Sequence, residues 1–353
     1  MKILTVVGAR PQFIKASVVS KQILAHPGLI EVMVHTGQHF DANMSQVFFE
    51  QLKIPKPDYR LDIRSALHGD MTGRMLIELE KILLKEKPDR VLVYGDTNST
   101  LAGALAAAKL HIPISHVEAG LRSFNMKMPE EVNRILTDQI SSQLFCPTKR
   151  ALSNLVNEGF SERQVGLYQV GDVMLDSANF FSGHDIHLPE AIPCENYILA
   201  TFHRAENTDQ LDRLASLVNS LNDIHQTVAP VVVPLHPRTR VAIKNSGLKL
   251  DVCTIEPVGY VEMLALTRGC KLVMTDSGGL QKEAFFLNKA CLTLRAETEW
   301  VELVEMGVNF LVGADPKLIK LYAESWFGKN VCTDQELFGS GAASAKIVDL
   351  LFS

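Results

Sequence analysis

Short apolar runs rich in β-branched residues alternate along this chain with stretches of helical spacing. Ile3–Val7 is such a run and ends at Gly8; Gln12–Ala25 follows with helical periodicity. Val32–Val34 predicts a second strand and Asn43–Leu52 a second helix. Within Thr72–Lys85, the residues Met75, Leu76, Leu79, Ile82 and Leu83 fall on one helical face. Arg90–Tyr94 reads as a strand, Thr97–Leu110 as an Ala-rich helix and Ile114–Val117 as a further strand. The rhythm restarts after Glu190. Tyr197–Thr201, Pro230–Leu235, Lys271–Thr275 and Ala290–Leu294 read as strands, Leu211–Gln226 and Leu280–Leu287 as helices. Strands without polar alternation, each followed by a helix, predict parallel sheets covered on both faces.

With 353 residues the chain exceeds the size at which one core stops growing. Two doubly wound domains are therefore expected, 1–175 and 176–340. Gly171, Gly183, Pro189 and Pro193 supply a plausible hinge at the joint. The formal net charge of -5 gives no basic footprint for nucleic acid. No apolar run approaches the roughly 20 residues that span a bilayer. The N-terminal run is too short for a signal peptide. Cysteines at 146, 194, 253, 270, 291 and 332 form no C-x-x-C pair, which fits a reduced cytoplasmic compartment.

In sheets of this kind ligands gather at the carboxyl ends of the strands. After the first strand comes Gly8-Ala9-Arg10-Pro11-Gln12-Phe13-Ile14-Lys15, where Arg10 and Lys15 can reach an anion at the helix N-terminus. It lacks the G-x-G-x-x-G fingerprint of dinucleotide sites. After Tyr94 comes Gly95-Asp96-Thr97-Asn98-Ser99-Thr100, where Asp96 or Thr97 could also cap the next helix. Glu118 follows an apolar strand, where burial would raise its pKa toward the range useful for proton transfer. Pro129-Glu130-Glu131-Val132-Asn133-Arg134 opens another helix; one of its glutamates could serve only the helix dipole. In the second half His203-Arg204 and His236 follow strands. Thr275-Asp276-Ser277-Gly278-Gly279-Leu280-Gln281-Lys282-Glu283 runs from strand through two glycines into a helix, the form of a diphosphate cradle. Glu283, a turn into that helix, could accept from ribose hydroxyls. The histidines are scattered, so metal has little support.

In this order, together with GQH at Gly37–His39, PLHPR at Pro234–Arg238 and RAETEWVE at Arg295–Glu302, these motifs resemble the non-hydrolysing UDP-N-acetylglucosamine 2-epimerases over nearly the whole chain. The resemblance implies an α/β fold of two Rossmann-like domains of the glycosyltransferase-B type, with the ligand in the cleft between them. It further implies a final helix near Ala342–Leu351 returning within 341–353 to the first domain. It places Asp96, Glu118, Glu130 and His203 at catalytic positions. Arg10, Lys15, Ser277, Gly278, Gly279 and Glu283 fall at UDP-binding positions, Val258 and Met263 beside uracil. Gln38, His39 and Arg74 fall where some members bind an activating UDP-N-acetylglucosamine. The implied reaction removes the proton at sugar C2, expels UDP from C1, reprotonates C2 on the other face and returns UDP. No cofactor or metal is required; the partner is a UDP-activated 2-acetamido sugar, and a homodimer is expected.

The chain departs from the family where GTRPE becomes GARPQ and where TERPE becomes Thr298-Glu299-Trp300-Val301-Glu302. This pair resembles a subgroup that epimerises UDP-2,3-diacetamido-2,3-dideoxyglucuronate for surface polysaccharides. Arg204, Arg238 and Arg295 are then candidate partners of the uronate, and Trp300 offers a flat face to the added acetamido group. A hydrolysing epimerase, a glycosyltransferase of the same fold and a silent UDP-sugar sensor remain alternatives. Choosing between Glu130 and Glu131 needs structure.

Overall fold

The β-branched runs become buried parallel strands in the computed structural model, which describes residues 1–38, 56–63, 67–182, 192, 196–331 and 336–352. The helix expected at Asn43–Leu52, together with His39, Cys194, Cys332, Gly183, Pro189 and Pro193, lies outside the described residues. The chain divides into two units, residues 1–180 with 335–353, and residues 181–334.

The first unit holds the strands β1 (Lys2–Val7), β2 (Ile30–His35), β3 (Tyr59–Arg60), β4 (Arg90–Tyr94), β5 (Ile114–Val117), β6 (Gln143–Cys146) and β7 (Gly166–Gln169). They form one sheet in the order β3-β2-β1-β4-β5-β6-β7, every pair parallel. Its helices are α1 (Arg10–Ala25), α2 (His68–Glu86), α3 (Asn98–Lys109), α4 (Pro129–Ile140), α5 (Lys149–Asn157) and α6 (Val173–Ser182). The second unit follows with β8 (Ile198–Thr201), α7 (Ala205–Thr208), α8 (Leu211–Thr227), β9 (Val231–Pro234), α9 (Pro237–Ser246) and β10 (Cys253–Ile255). It continues through α10 (Tyr260–Gly269), β11 (Leu272–Thr275), α11 (Gly278–Phe286), β12 (Cys291–Thr293), α12 (Val301–Glu305), β13 (Asn309–Leu311) and α13 (Pro316–Trp326). This sheet is ordered β10-β9-β8-β11-β12-β13, again all parallel. In both sheets the strand order reverses beside the first strand of the unit. The crevice for a ligand therefore opens at the carboxyl ends of β1 and β4, and of β8 and β11.

The sequence explains the burial. Leu4, Val6, Val91, Val93 and Ile114 have almost no exposure and share a core with Met75, Leu79 and Leu83 of α2, the face foreseen from periodicity. In the second unit Leu199, Val232 and Val273 share a core with Leu266, Leu280 and Ala284. The last helix, α14 (Ala343–Leu350), packs on α1. Its head is tied down by Asp176, which accepts from Ala343 N at 3.1 Å and Ser344 N at 2.7 Å. Asp172 N donates to Phe338 O at 2.9 Å. Gly171, at φ +99°, has no space for a β-carbon, which would meet that carbonyl oxygen at 2.8 Å.

One buried group makes this fold acid-sensitive. His35, fully buried at the end of β2, stacks obliquely on Phe13 at 4.8 Å, and its Nδ1 accepts from Gly37 N at 2.8 Å. Burial, and then the charge of Arg60, push its imidazole down to about 4. The folded state thus holds the ring neutral while an unfolded ring titrates near 6.5, so the stability it lends is complete above pH 6.5 and is lost as pH falls toward 4. The loss should reach about 3 kcal/mol. His35→Asn keeps an acceptor for Gly37 N without a titrating ring. Chemical denaturation of both proteins from pH 7 to 4 should show the wild type losing stability more steeply; parallel slopes would refute the assignment.

Candidate active site

At the crevice of the first unit, backbone constraints come first. A β-carbon on Gly8 would lie 2.0 Å from Thr36 Oγ1 and 2.1 Å from Ser99 Oγ, so only glycine lets β1 turn here. Gln12 then locks the turn. Its Oε1 accepts from Gly8 N at 2.9 Å and Ala9 N at 3.0 Å, while its Nε2 donates to Tyr94 O and Thr100 Oγ1, both at 2.9 Å. A carboxylate could not make the last two bonds. The GARPQ departure therefore serves the scaffold. Arg10 opens α1, half-buried.

The loop after β4 sorts its residues clearly. Thr97 caps α3 by accepting from Thr100 N at 3.3 Å, which leaves Asp96 for other work. The Asp96 carboxylate pairs with Arg134, and its carbonyl accepts from Asn133 Nδ2 at 2.9 Å. Glu118, held at φ +70°, pairs with Lys15; the two side chains are 9% and 10% exposed. A β-carbon on Gly95 would meet Glu118 Oε2 at 3.1 Å and Lys15 Nζ at 3.3 Å, so this pair lies beside the backbone next to Asp96. The structure thus places the Glu118 carboxylate against Gly95, the residue before Asp96. It also gives Lys15 a carboxylate partner within the unit, where the sequence suggested an anionic ligand.

The adjacent glutamates separate as well. Glu131 is fully buried and accepts from Ser123 N at 3.0 Å and Phe124 N at 2.8 Å, while pairing with Arg134. Burial opposes its charge, but these amides and Arg134 prevail and hold its carboxyl below the usual range. Glu130 is exposed in the first turn of α4 and, among the described residues, has no hydrogen bond or ion pair. Sequence reasoning singled out the glutamates of PEEVNR and missed Asn133 and Arg134, which hold Asp96.

A buried network lies beneath. His116 Nδ1 faces Asp138 Oδ1 at 2.7 Å and its Nε2 faces Gly95 O at 2.7 Å. Asp138 Oδ2 also accepts from Arg122 at 2.7 Å and from Gly120 N at 3.2 Å. The ring of His116 is thus clamped between the Asp138 carboxylate and the Gly95 carbonyl. Gln38 is anchored to this region, accepting from Ser99 N at 3.1 Å and Ser99 Oγ at 2.7 Å. Arg74 is on α2, exposed and 3.6 Å from Asp70, and lines a 360 Å³ surface cavity with Arg60, Ile63 and Glu78.

In the second unit Asp276 organises the crevice. Its Oδ2 accepts from His203 N and Arg204 N at 2.9 Å and from Asn207 Nδ2 at 3.0 Å. Its Oδ1 lies 3.4 Å from His203 Nδ1. The ring of His236 stacks on that of His203 at 5.2 Å. Ser277 caps α11, its side chain accepting from Leu280 N, and Gly278 and Gly279 form the first turn, whose N–H groups have no acceptor within a helix. Glu283 is buried a turn later. Val258 and Met263 are half-buried around the start of α10.

The residues around the second departure are placed differently from expectation. Trp300 is 3% exposed and Lys282 Nζ covers its ring face at 4.2 Å, so it offers no open platform. Its neighbour Glu299 pairs with Arg295 at 2.8 Å. Arg238 pairs with Asp209 at the surface. Burial pushes the thiols of Cys270 and Cys291 up to about 12, which removes them as nucleophiles. Among the described residues no cluster of His, Cys, Asp or Glu could hold a metal, and no helix is long and apolar enough to cross a membrane.

Two parallel doubly wound units, each with helices on both faces of its sheet, define a protein of the glycosyltransferase-B fold. A family model described as UDP-N-acetylglucosamine 2-epimerase matches residues 21–352, and the chain belongs to that family. It is 62% identical over 99% of both chains to a Pseudomonas aeruginosa protein named UDP-2,3-diacetamido-2,3-dideoxy-D-glucuronate 2-epimerase. Among solved structures, the Methanocaldococcus jannaschii UDP-GlcNAc 2-epimerase in complex with UDP-GlcNAc and UDP superposes with a TM-score of 0.89, at 40% identity over 100% of this chain and 99% of that one. The Neisseria meningitidis UDP-GlcNAc 2-epimerase bound to UDP-GlcNAc gives 0.88, at 31% identity over 100% of both.

Proposed function

We propose that this chain inverts C2 of a UDP-activated 2-acetamido sugar, and that its substrate is UDP-2,3-diacetamido-2,3-dideoxyglucuronate. The observation that carries the choice of sugar is the 62% identity, end to end, with the Pseudomonas protein of that name, against 45% with a relative named UDP-N-acetylglucosamine 2-epimerase. The reaction takes place in the cytoplasm, in a homodimer, and supplies a building block for surface polysaccharide.

The first unit contributes acid–base groups. Inversion by elimination needs one group to take the C2 proton and another to return a proton to the opposite face. Asp96 and Glu118 are two carboxylates in neighbouring but different settings, one tied to Arg134 and the other to Lys15, which lets their proton affinities differ. Glu130 is available as a third, because Glu131 is committed to the loop at 123–124. The second unit contributes the nucleotide grip. The first-turn N–H groups of Gly278 and Gly279 receive the diphosphate, Glu283 the ribose, and Val258 and Met263 the uracil. His203, oriented by Asp276, acts at the departing phosphate. Arg10 adds a cation, and Gln38 with Arg74 forms part of an activator site.

The test is incubation with the diacetamido-uronate nucleotide alone in D₂O. The expected product is the 2-epimer carrying deuterium at C2, formed without an acceptor and without free sugar. Its kcat/KM should exceed that for UDP-N-acetylglucosamine by about 10²-fold or more, since polar groups built for the uronate stay unpaired with the plain sugar. Equal turnover of the two sugars would remove the substrate assignment; an unlabelled product would remove the elimination.

A further inference from the structure

The head of α11 is crowded by a carboxylate. A β-carbon on Gly278 would lie 2.1 Å from Glu299 Oε1, so an oxygen of Glu299 rests against Gly278 where any other residue would place a side chain. The Glu299 and Arg295 side chains are 16% and 4% exposed and bond at 2.8 Å. Burial alone would raise the Glu299 carboxyl; the charges of Arg295 and Arg204 outweigh it and hold the group below the usual range. A dianionic ligand group at the Gly278 and Gly279 amides would meet this carboxylate at close quarters, with like charge and little solvent between.

We propose that Glu299 is a resident anion, its carboxylate neutralising Arg295, Arg204 and the head of α11 in the unliganded protein, and yielding that place to the diphosphate of the nucleotide. The idea rests on the nucleotide reading given above and adds a regulatory element to it. Two cations acting on one buried place beside a helix head would be costly without a counter-charge. Glu299 supplies one, and the ligand must displace it or share its partners. Displacement frees Arg295 and Arg204 to face the ligand's own charges. The competition also weakens the hold on the nucleotide, which a reaction that expels UDP, retains it and adds it back before the sugar nucleotide leaves requires.

The test compares wild type, Glu299→Gln and Glu299→Asp by calorimetric titration with UDP, inorganic pyrophosphate and uridine. Glu299→Gln keeps the shape and an oxygen for Arg295 but removes the charge. It should bind UDP and pyrophosphate about tenfold tighter, a gain of ~1.4 kcal/mol, with uridine unchanged. Glu299→Asp keeps the charge and should stay near wild type. Unchanged or weaker UDP binding by Glu299→Gln would overturn the proposal, as would an equal gain in Glu299→Asp, which would make the effect one of packing. Pyrophosphate gaining while UDP binds neither protein would uphold the resident anion and overturn the nucleotide reading.

Discussion

Glu118→Gln is expected to lower kcat by about 10²–10⁴-fold, the usual worth of a positioned acid–base group. The carboxylate is 9% exposed and faces Lys15, so the amide fits the same space and the fold should persist. What disappears is the ability to exchange a proton with C2. UDP affinity should change far less than the rate, because the loop assigned to the diphosphate and the groups assigned to ribose and uracil belong to the second unit. Asp96→Asn should behave alike, with Arg134 still able to bond the amide oxygen. Deuterium exchange at C2 separates the two roles: a variant lacking the group for one face should lose turnover while exchange from the other face survives. If both variants keep near wild-type turnover, this carboxylate pair is structural.

The largest expected effect on stability comes from Asp138→Ala. It would take the carboxylate from His116 and Arg122, whose side chains are 0% and 1% exposed, and leave Arg122 only Glu158 as a carboxylate partner. Removing one member of a buried ionic group typically costs about 3–5 kcal/mol. Urea unfolding followed by circular dichroism should show the midpoint falling. Tryptophan fluorescence is the wrong monitor, because Trp300 and Trp326 both belong to the second unit. A loss below about 1 kcal/mol would mean that water or a rearranged loop takes over the role of Asp138.

The parallel strands were legible because they are buried on both faces and so read as unbroken apolar runs. The long α2 showed its apolar stripe plainly. The strands β3, β6, β7, β10 and β13 and the short α7 were not read, since two to four residues carry no periodicity to detect, and the helices α5, α6, α9, α10 and α13 were not read either. Strand-end positions of the site were legible for a topological reason: loops there face the crevice whatever their detailed shape. Pairings were not. Lys15 and Glu118 are 103 residues apart, and only strand order makes them neighbours. Trp300 looked like a ligand platform because sequence gives the residue type and not the direction its ring faces. Glu299 drew no notice for the same reason: a carboxylate beside a glycine 21 positions earlier becomes visible only when the helix head is in place.

The return of residues 335–352 to the first unit sets an order of assembly. The second unit is one uninterrupted stretch and can complete its sheet while the chain is still being made. The first unit waits for α14, whose anchors reach back from Ala343 to Asp176 and from Leu350 to Gln143, the latter across 207 residues. The half synthesised first is thus finished last, and α1 keeps an uncovered flank during the interval. A nascent chain halted before Ala343 should accordingly bind chaperones through its first unit, while its second unit already resists proteolysis.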